Sequence, residues 1–447
     1  KESEAFLTAA DKFGLLTGAP ASAAWVTATI NAHYDNIAGV SFDAVWEESQ
    51  RPRYEQTVAA AADNLAQILA QVSGRVAAPL VIFNPTSWPR SEVIELQGPL
   101  PAAAALPASV QRLGPDHVAL WIDAAPAVGY TVVTQAAPTP ANPATLARSG
   151  PVITLSNGLV SVALDGDHGG AMTSLSRAGD RELIAGYGDD VVYITDHGDV
   201  YGAFLGEEQA RASHVPASMT VVATGPLLAR AQAVVILGGQ PVTRTVTVRA
   251  NSPLVEVALE IAALPETTAI VQTATTLSTT TRTDDVGFSA FTHPVDDSPI
   301  VSGTVTYRRE VFYPITAWGD VSAGGAGLSV LTQGLQGLGG VSTLNLLLVR
   351  QVFDKGNEGV TDAGVHTLRY AYLPHAGSAR DAQAWLAATA FNQPLIPAWP
   401  TGDGIHVQLP FVAPHEPYPF AAAGLPLLPR SWSLIEAAHG VVADLYR

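Results

Sequence analysis

The sequence predicts a mainly β protein with an N-terminal α-helical bundle, a small β domain and a large antiparallel β-sandwich. Three observations carry this. Apolar residues keep a three-and-four spacing as far as Val72. From Pro151 onward, short alternating or β-branched runs follow one another with hardly a helical period between them. The 39 glycines and 32 prolines supply the turns that so many strands require. At 447 residues the chain is too long for one core. It divides by pattern into 1–75 (three-helix bundle), 76–148 (small β domain with linker), 149–395 (large sandwich) and 396–447, a Pro-rich segment ending in a strand or hairpin.

In the bundle, a first helix runs to about Leu16 with Ala5, Phe6, Ala9, Ala10 and Phe13 on one side. A second starts behind Ser22 as N-cap and carries Trp25, Ile30 and His33. A short helix follows Ser41. Tyr54, Val58, Ala61, Ala62, Leu65, Ile68, Leu69 and Val72 then mark a third long helix over 54–72. Three such helices joined by short connections bury their stripes against one another. The pattern changes at Gly74. Leu80 to Asn84 is a buried-type strand stopped by Pro85, and strands over 92–96, 118–122 and 130–133 complete the small domain before an Ala/Pro/Thr linker. The sandwich opens on strands over 152–155, 159–164 and 171–175, with Asn157-Gly158 and Gly169-Gly170 at the bends. Ten more strand signals run from Val191 to Tyr372. A lone helix is expected over 381–390 and a last strand or hairpin over 432–446.

Composition narrows the function. A net charge of −17 argues against nucleic acid or an anionic membrane as partner, since either needs a basic face. With no cysteine there is no disulfide framework, thiolate metal site or thiol nucleophile, so metal chemistry must use His, Asp or Glu. No apolar run approaches the roughly 18 residues of a membrane span. The lack of cysteine and of a visible signal peptide points to a soluble protein in a cytoplasmic setting. The opening Lys-Glu-Ser-Glu reads as part of a longer protein.

Four stretches gather chemistry-bearing residues. NAHYDNIAG, 31–39, places His33, Tyr34 and Asp35 where a helix meets a loop. Neighbours on a helix are about 100° apart, so His33 and Asp35 converge only if the helix ends between them; otherwise this is a capped, solvated helix end. TRTDDVGF, 281–288, sets Arg282 beside Asp284 and Asp285. On a strand the two acids face opposite ways, which favours a carboxylate held by its arginine over a shared acid–base role. TDAGVHTLRYAYLPHAG, 361–377, holds Asp362, His366 and His375 around an alternating core of Leu368, Tyr370 and Tyr372. Asp165, Asp167 and His168 sit at a hairpin tip, where a solvated turn competes with a hard-cation site. No HExxH, GxSxG or Gly-rich phosphate loop is present.

These pieces, in order, resemble the portion of glycoside hydrolase family 38 α-mannosidases that lies C-terminal to the catalytic domain. The bundle with its polar HYD-IAG segment comes first, then LVIFNPTSWPR, AVGYTVV, ITLSNGLVSVALDGDHGG and GPLLARAQAVV. After them come YRREVFYPITAWGDVSAGGAGLSVLTQGLQG, LLLVRQV, TDAGVHTLRYAYLPHAG and AFNQPL, covering most of 1–396. The resemblance implies a mutarotase-like super-sandwich and, in the full-length enzyme, zinc-dependent retaining hydrolysis of α-mannosides through a glycosyl-enzyme. It implies that the nucleophile and most zinc ligands belong to an N-terminal α/β domain that this chain lacks, so no catalytic residue is expected here and the chain alone should be inactive. The family's bundle supplies a metal-ligand histidine immediately before an aspartate that holds sugar hydroxyls. Asp35 matches the aspartate, but Tyr34 stands in the histidine's place. His33 is one helical step away, which weakens it as a zinc ligand and leaves Tyr34 as a stacking or hydroxyl contact. Two other readings compete. One is a stand-alone carbohydrate-binding or scaffolding sandwich, with Trp88, Trp121, Trp318 and Trp399 as its aromatic face. The other is an epimerase, against which stands the apparent lack of a histidine–carboxylate pair on neighbouring strands.

Overall fold

A computed structural model describes residues 22–33, 41–76, 78–101, 106, 109–133, 138–199, 202–296, 300–302, 305–307, 312–352, 362–410, 416–420 and 427–433. It bears out a mainly β chain with helices near its N-terminus and several antiparallel sheets. The chain divides into two compact units, one drawn from 1–38, 44–140 and 393–447, the other from 39–43 and 141–392.

In the first unit, helix α1 spans Ser22–Asn31. A helical turn, Asp43–Val45, and a π-helical stretch, Trp46–Gln50, lead directly into helix α2, Arg51–Val76. The helix expected over 54–72 is thus longer at both ends, and the expected first helix lies outside the described residues. The second half of α2 buries Leu65, Leu69, Val72 and Val76 against a five-stranded sheet. That sheet runs Gly404–Val407, Ile396–Thr401, Val81–Asn84, Gly129–Val132, Ser431–Ser433. Its middle strand explains the unbroken apolar run in the sequence. Val81 and Phe83 meet the helix, while Ile82 faces a three-stranded sheet (Arg90–Gln97, His117–Ala125, Gln111–Gly114) and packs with Ile94, Leu96, Leu120 and Trp399. A strand covered on both sides has no polar face to alternate with. The segment after residue 395, which the sequence sets apart, supplies Ile396–Thr401 as the direct antiparallel partner of Val81–Asn84.

The second unit is a sandwich. One layer is a nine-stranded sheet in the order Ser218–Thr224, Leu228–Leu237, Gln240–Arg249, Val255–Ala262, Val365–Ala376, Ala326–Gln333, Trp318–Ala323, Thr281–Asp285, Ala290–Pro294. Against it lie a four-stranded sheet, Thr145–Ser149 to Ala171–Arg177, and a six-stranded sheet containing Asp190–Asp196, Thr267–Ala274 and Thr343–Gln351. Inward residues of all three, among them Ile153, Val162, Tyr193, Val246, Val257, Val271, Leu328 and Leu346, form one core. Helix α3, Ala384–Asn392, lays Ala384 and Ala388 on the outer face of the large sheet against Trp318, Leu331 and Leu373. The expected bend at 156–158 is held by Asn157. Its amide nitrogen donates to the Arg249 and Ser252 carbonyls at 2.6 and 2.5 Å, and its oxygen accepts from the N–H groups of Leu159 and Val160.

Candidate functional site

Helix α1 ends at Asn31, before His33 and not between His33 and Asp35. The N–H of Ala32 is shared between the Ala28 and Thr29 carbonyls, and that of His33 reaches the Ile30 carbonyl at 3.2 Å, so the last turn tightens and stops. Asn31 anchors this end. It is fully buried, its amide donates to the Gln50 carbonyl at 3.1 Å, and its own carbonyl accepts from the Tyr54 hydroxyl at 3.3 Å. Tyr54 packs against Trp46 with ring centroids 6.0 Å apart. His33 follows on the surface, and Tyr34 and Asp35 lie outside the described residues. Sequence reasoning found this stretch but not the scaffold of Asn31, Gln50 and Tyr54. The signal was present in Asn31, a polar residue on the last turn of a helix that had to fold back on a neighbour.

The other candidates resolve into structure. Asp284 receives Arg282 through two bonds of 2.8 Å and the His293 Nε2 at 2.8 Å, while the guanidinium also donates to the Gly340 and Leu338 carbonyls. Asp285 points the other way and caps the Gly287 N–H. The pair His293–Asp284 corrects the expectation that no histidine and carboxylate share neighbouring strands. Both are buried, with Asp284 held by Arg282 and His293 held between Asp284 and the Pro294 carbonyl.

Asp362 and His366 stay together, with His366 Nε2 at 2.7 Å from the Asp362 carbonyl. His375 belongs to a different group. Its Nε2 lies 2.6 Å from Asp320 Oδ2, which also accepts from the Ser329 hydroxyl at 2.8 Å; Ser322 donates to the other oxygen at 2.5 Å. The composition is that of a Ser-His-Asp triad, but the carboxylate stands at the centre and takes the serine proton. The Ser329 hydroxyl also lies 3.2 Å from His375 Nε2, a nitrogen that faces Asp320 more closely, so the three groups form one buried cluster around the carboxylate. A Cβ on Gly327 would stand 2.2 Å from the His375 ring, so that position requires glycine. At the hairpin tip, Asp165 closes on itself, accepting from the Asp167 N–H and meeting His168 Nδ1 at 2.9 Å. Among the described residues no group of three or more His, Asp or Glu is arranged to hold a metal ion. Trp121, Trp318 and Trp399 are buried and Trp88 is half-buried, so these indoles form no open aromatic face.

Among the buried ion pairs that the sequence reading missed, two differ instructively. Asp189 is wholly enclosed, with φ +52°. The Arg244 Nε lies 2.7 Å from its Oδ2, close in charge though not aligned as a hydrogen bond. The guanidinium also donates to the carbonyls of Gly169 and of Asp189 itself. The hydroxyls of Tyr370 and Tyr372 donate to Oδ1 at 2.7 and 3.1 Å. Burial pushes this carboxyl above the usual range, against the opposing pull of Arg244 and the two hydroxyls. At the far end of the strand that begins just after Asp189, Asp196 accepts from Arg350 Nε at 2.6 Å, the Thr268 hydroxyl, and the N–H groups of Gly198 and Phe204. Burial opposes ionisation here too, but these donors outweigh it and hold the group below its ordinary value.

Residues 155–357 match the family described as glycosyl hydrolases family 38 C-terminal domain. A solved glycosyl hydrolase family 38 protein from Enterococcus faecalis is similar in fold, with a TM-score of 0.67 and 17% identity over 86% of this chain and 56% of that one. An alpha-mannosidase from Enterococcus faecalis V583 gives 0.65 and 16% over 89% of this chain and 53% of that one. The chain thus spans little more than half the length of either. No curated protein matches the sequence.

Proposed function

We propose, from the premise that residues 155–357 are a family 38 C-terminal domain, that this chain is the non-nucleophilic portion of an α-mannosidase-like glycoside hydrolase. The observation that carries the reading is that domain match, together with a helix earlier in the chain that ends at Asn31, just before His33, Tyr34 and Asp35 in the sequence. In this reading Asp35 accepts hydrogen bonds from sugar hydroxyls, and Tyr34 stacks on the sugar or bonds to a hydroxyl. The two carboxyl groups of a retaining mechanism lie elsewhere in the full-length enzyme. Zinc belongs to that full-length enzyme, where it would hold sugar hydroxyls. His33 is the histidine nearest to Asp35 in the sequence, and it is displaced by a position from the place the family uses.

The test is hydrolysis of 4-nitrophenyl α-mannoside. The full-length protein should turn over, and Asp35→Ala should lower kcat/KM by about 100-fold while leaving the fold intact. The chain alone should release no nitrophenol. Release by the chain alone, abolished by a chelator, overturns the reading, as does an active Asp35→Ala enzyme with unchanged kcat/KM.

A further inference from the structure

The outer edge of the nine-stranded sheet carries an unusual hairpin. Strands Thr281–Asp285 and Ala290–Pro294 are joined through a two-residue bend, Gly287-Phe288, in which Gly287 has φ +94° and the Val286 N–H reaches the Ser289 carbonyl at 2.9 Å. Around that bend Phe288 is wholly exposed, and Val286 and Phe291 are half or more exposed. Phe291 is held in place by stacking on His293, centroids 5.6 Å apart and planes 11° apart, and His293 in turn rests against Tyr313. From Val286 to Pro294 there is no Asp, Glu, Lys or Arg.

Edge strands are commonly protected by charge, by bulges or by a covering element. The opposite edge of this sheet, Ser218–Thr224, has its bulge between Val221 and Ala223. The register of the hairpin is regular throughout, and among the described residues no strand pairs with its outer side.

The pairing within the hairpin fixes which backbone groups face outward. Val286 and Ser289 form a hydrogen-bonded pair, as do Thr280 and Val295, so the alternation places Asp284–Phe291 and Arg282–His293 in the bonded class. The N–H and C=O of Ala290 and Thr292 therefore point away from the sheet; the Ala290 carbonyl has only a 3.4 Å contact from the Ser289 hydroxyl. Such an edge is complementary to itself. With Phe291 on a two-fold axis, Ala290 of one copy meets Thr292 of the other, twice. Four backbone hydrogen bonds form, and the two Phe291 rings meet as a close non-bonded pair. Phe288 then lies opposite Pro294 of the second copy, where the missing N–H ends the ladder. Two chains that each carry −17 repel, and a charge-free rim is where they can touch at least cost.

We propose that two copies of this chain associate edge to edge through the 281–294 hairpin, about a two-fold axis at Phe291. The measurement is molar mass by light scattering at tens of micromolar, with the 447-residue chain. Wild type should show twice 46.5 kDa. Thr292→Pro removes an outward N–H that the hairpin itself does not use, and Phe291→Asp puts like charges on the axis. Each should give a monomer with the wild-type circular dichroism spectrum. A monomeric wild type, or a dimer that survives both substitutions, overturns the proposal. Neither result bears on the mannosidase reading, which rests on turnover.

Discussion

Asp189 and Asp196 stand near opposite ends of one stretch of chain, each within 2.7 Å of an arginine, yet their carboxyls move in opposite directions. The difference is in what else reaches them. Asp196 collects a hydroxyl and two backbone N–H groups beside its arginine, all aligned on its oxygens. Asp189 has two tyrosine hydroxyls on one oxygen, an arginine that is close but poorly aligned on the other, and no water-facing side. A short ion-pair distance alone does not say whether a buried charge is comfortable; the number of directed donors does. The two pairs also hold different things. Arg244 joins the turn at Gly169 to the large sheet, deep in the sandwich. Arg350 donates to the carbonyls of Asp199 and Gly202 as well, and so fastens the surface loop that follows Asp196.

That contrast can be broken at either end. Arg244→Met leaves Asp189 buried without its cation and should cost about 3–5 kcal/mol in chemical denaturation. Adding Asp189→Asn, which keeps an acceptor for the tyrosines and tolerates the left-handed backbone, should return a substantial part. A single-variant loss below about 1 kcal/mol would mean that the pair is already compensated. Arg350→Met should cost less, about 1.5–3 kcal/mol. Its effect should be local, with hydrogen exchange accelerated over 197–199 and 202–204 and unchanged at Val246 or Val257. Uniform acceleration would contradict a loop-specific role.

The smallest effect is set by pH. The folded carboxyl of Asp196 titrates below the ordinary 3.8, so its contribution is complete above that value and is lost as pH falls through the lower, folded one. Protection of the Gly198 and Phe204 N–H groups, corrected for intrinsic exchange, should therefore fall on acidification through that range. For Asp189 the sign is reversed: stability is lost as pH rises through its elevated folded value.

The parts of the fold legible in the sequence are those governed by local period. The long helix declared itself through Leu65, Leu69 and Val72, and the hairpins through Asn157-Gly158 and the paired glycines at 169–170. Arg282 and Asp284 were readable as partners because two residues apart on a strand is one face. What could not be read were contacts across long separations. Tyr370 and Tyr372 register as core by alternation, and nothing nearby announces that their hydroxyls converge on Asp189. His375 likewise finds Asp320 two strands away, over a glycine whose need is visible only in three dimensions. At the helix end, the sequence located His33 by pattern but not Asn31, which fixes where the helix stops.

The central strand of the five-stranded sheet sets an order of events during synthesis. Val81–Asn84 emerges first of the pair, and its neighbour Ile396–Thr401 is made more than three hundred residues later. The sandwich, contiguous over 141–392, can consolidate on the ribosome in the interval, since its pairings are all in hand by then. The smaller unit must wait with Ile82 and Phe83 uncovered along one edge. A ribosome that stalls before residue 396 would release a chain whose larger half is finished and whose smaller half offers a bare apolar strand to chaperones or to aggregation.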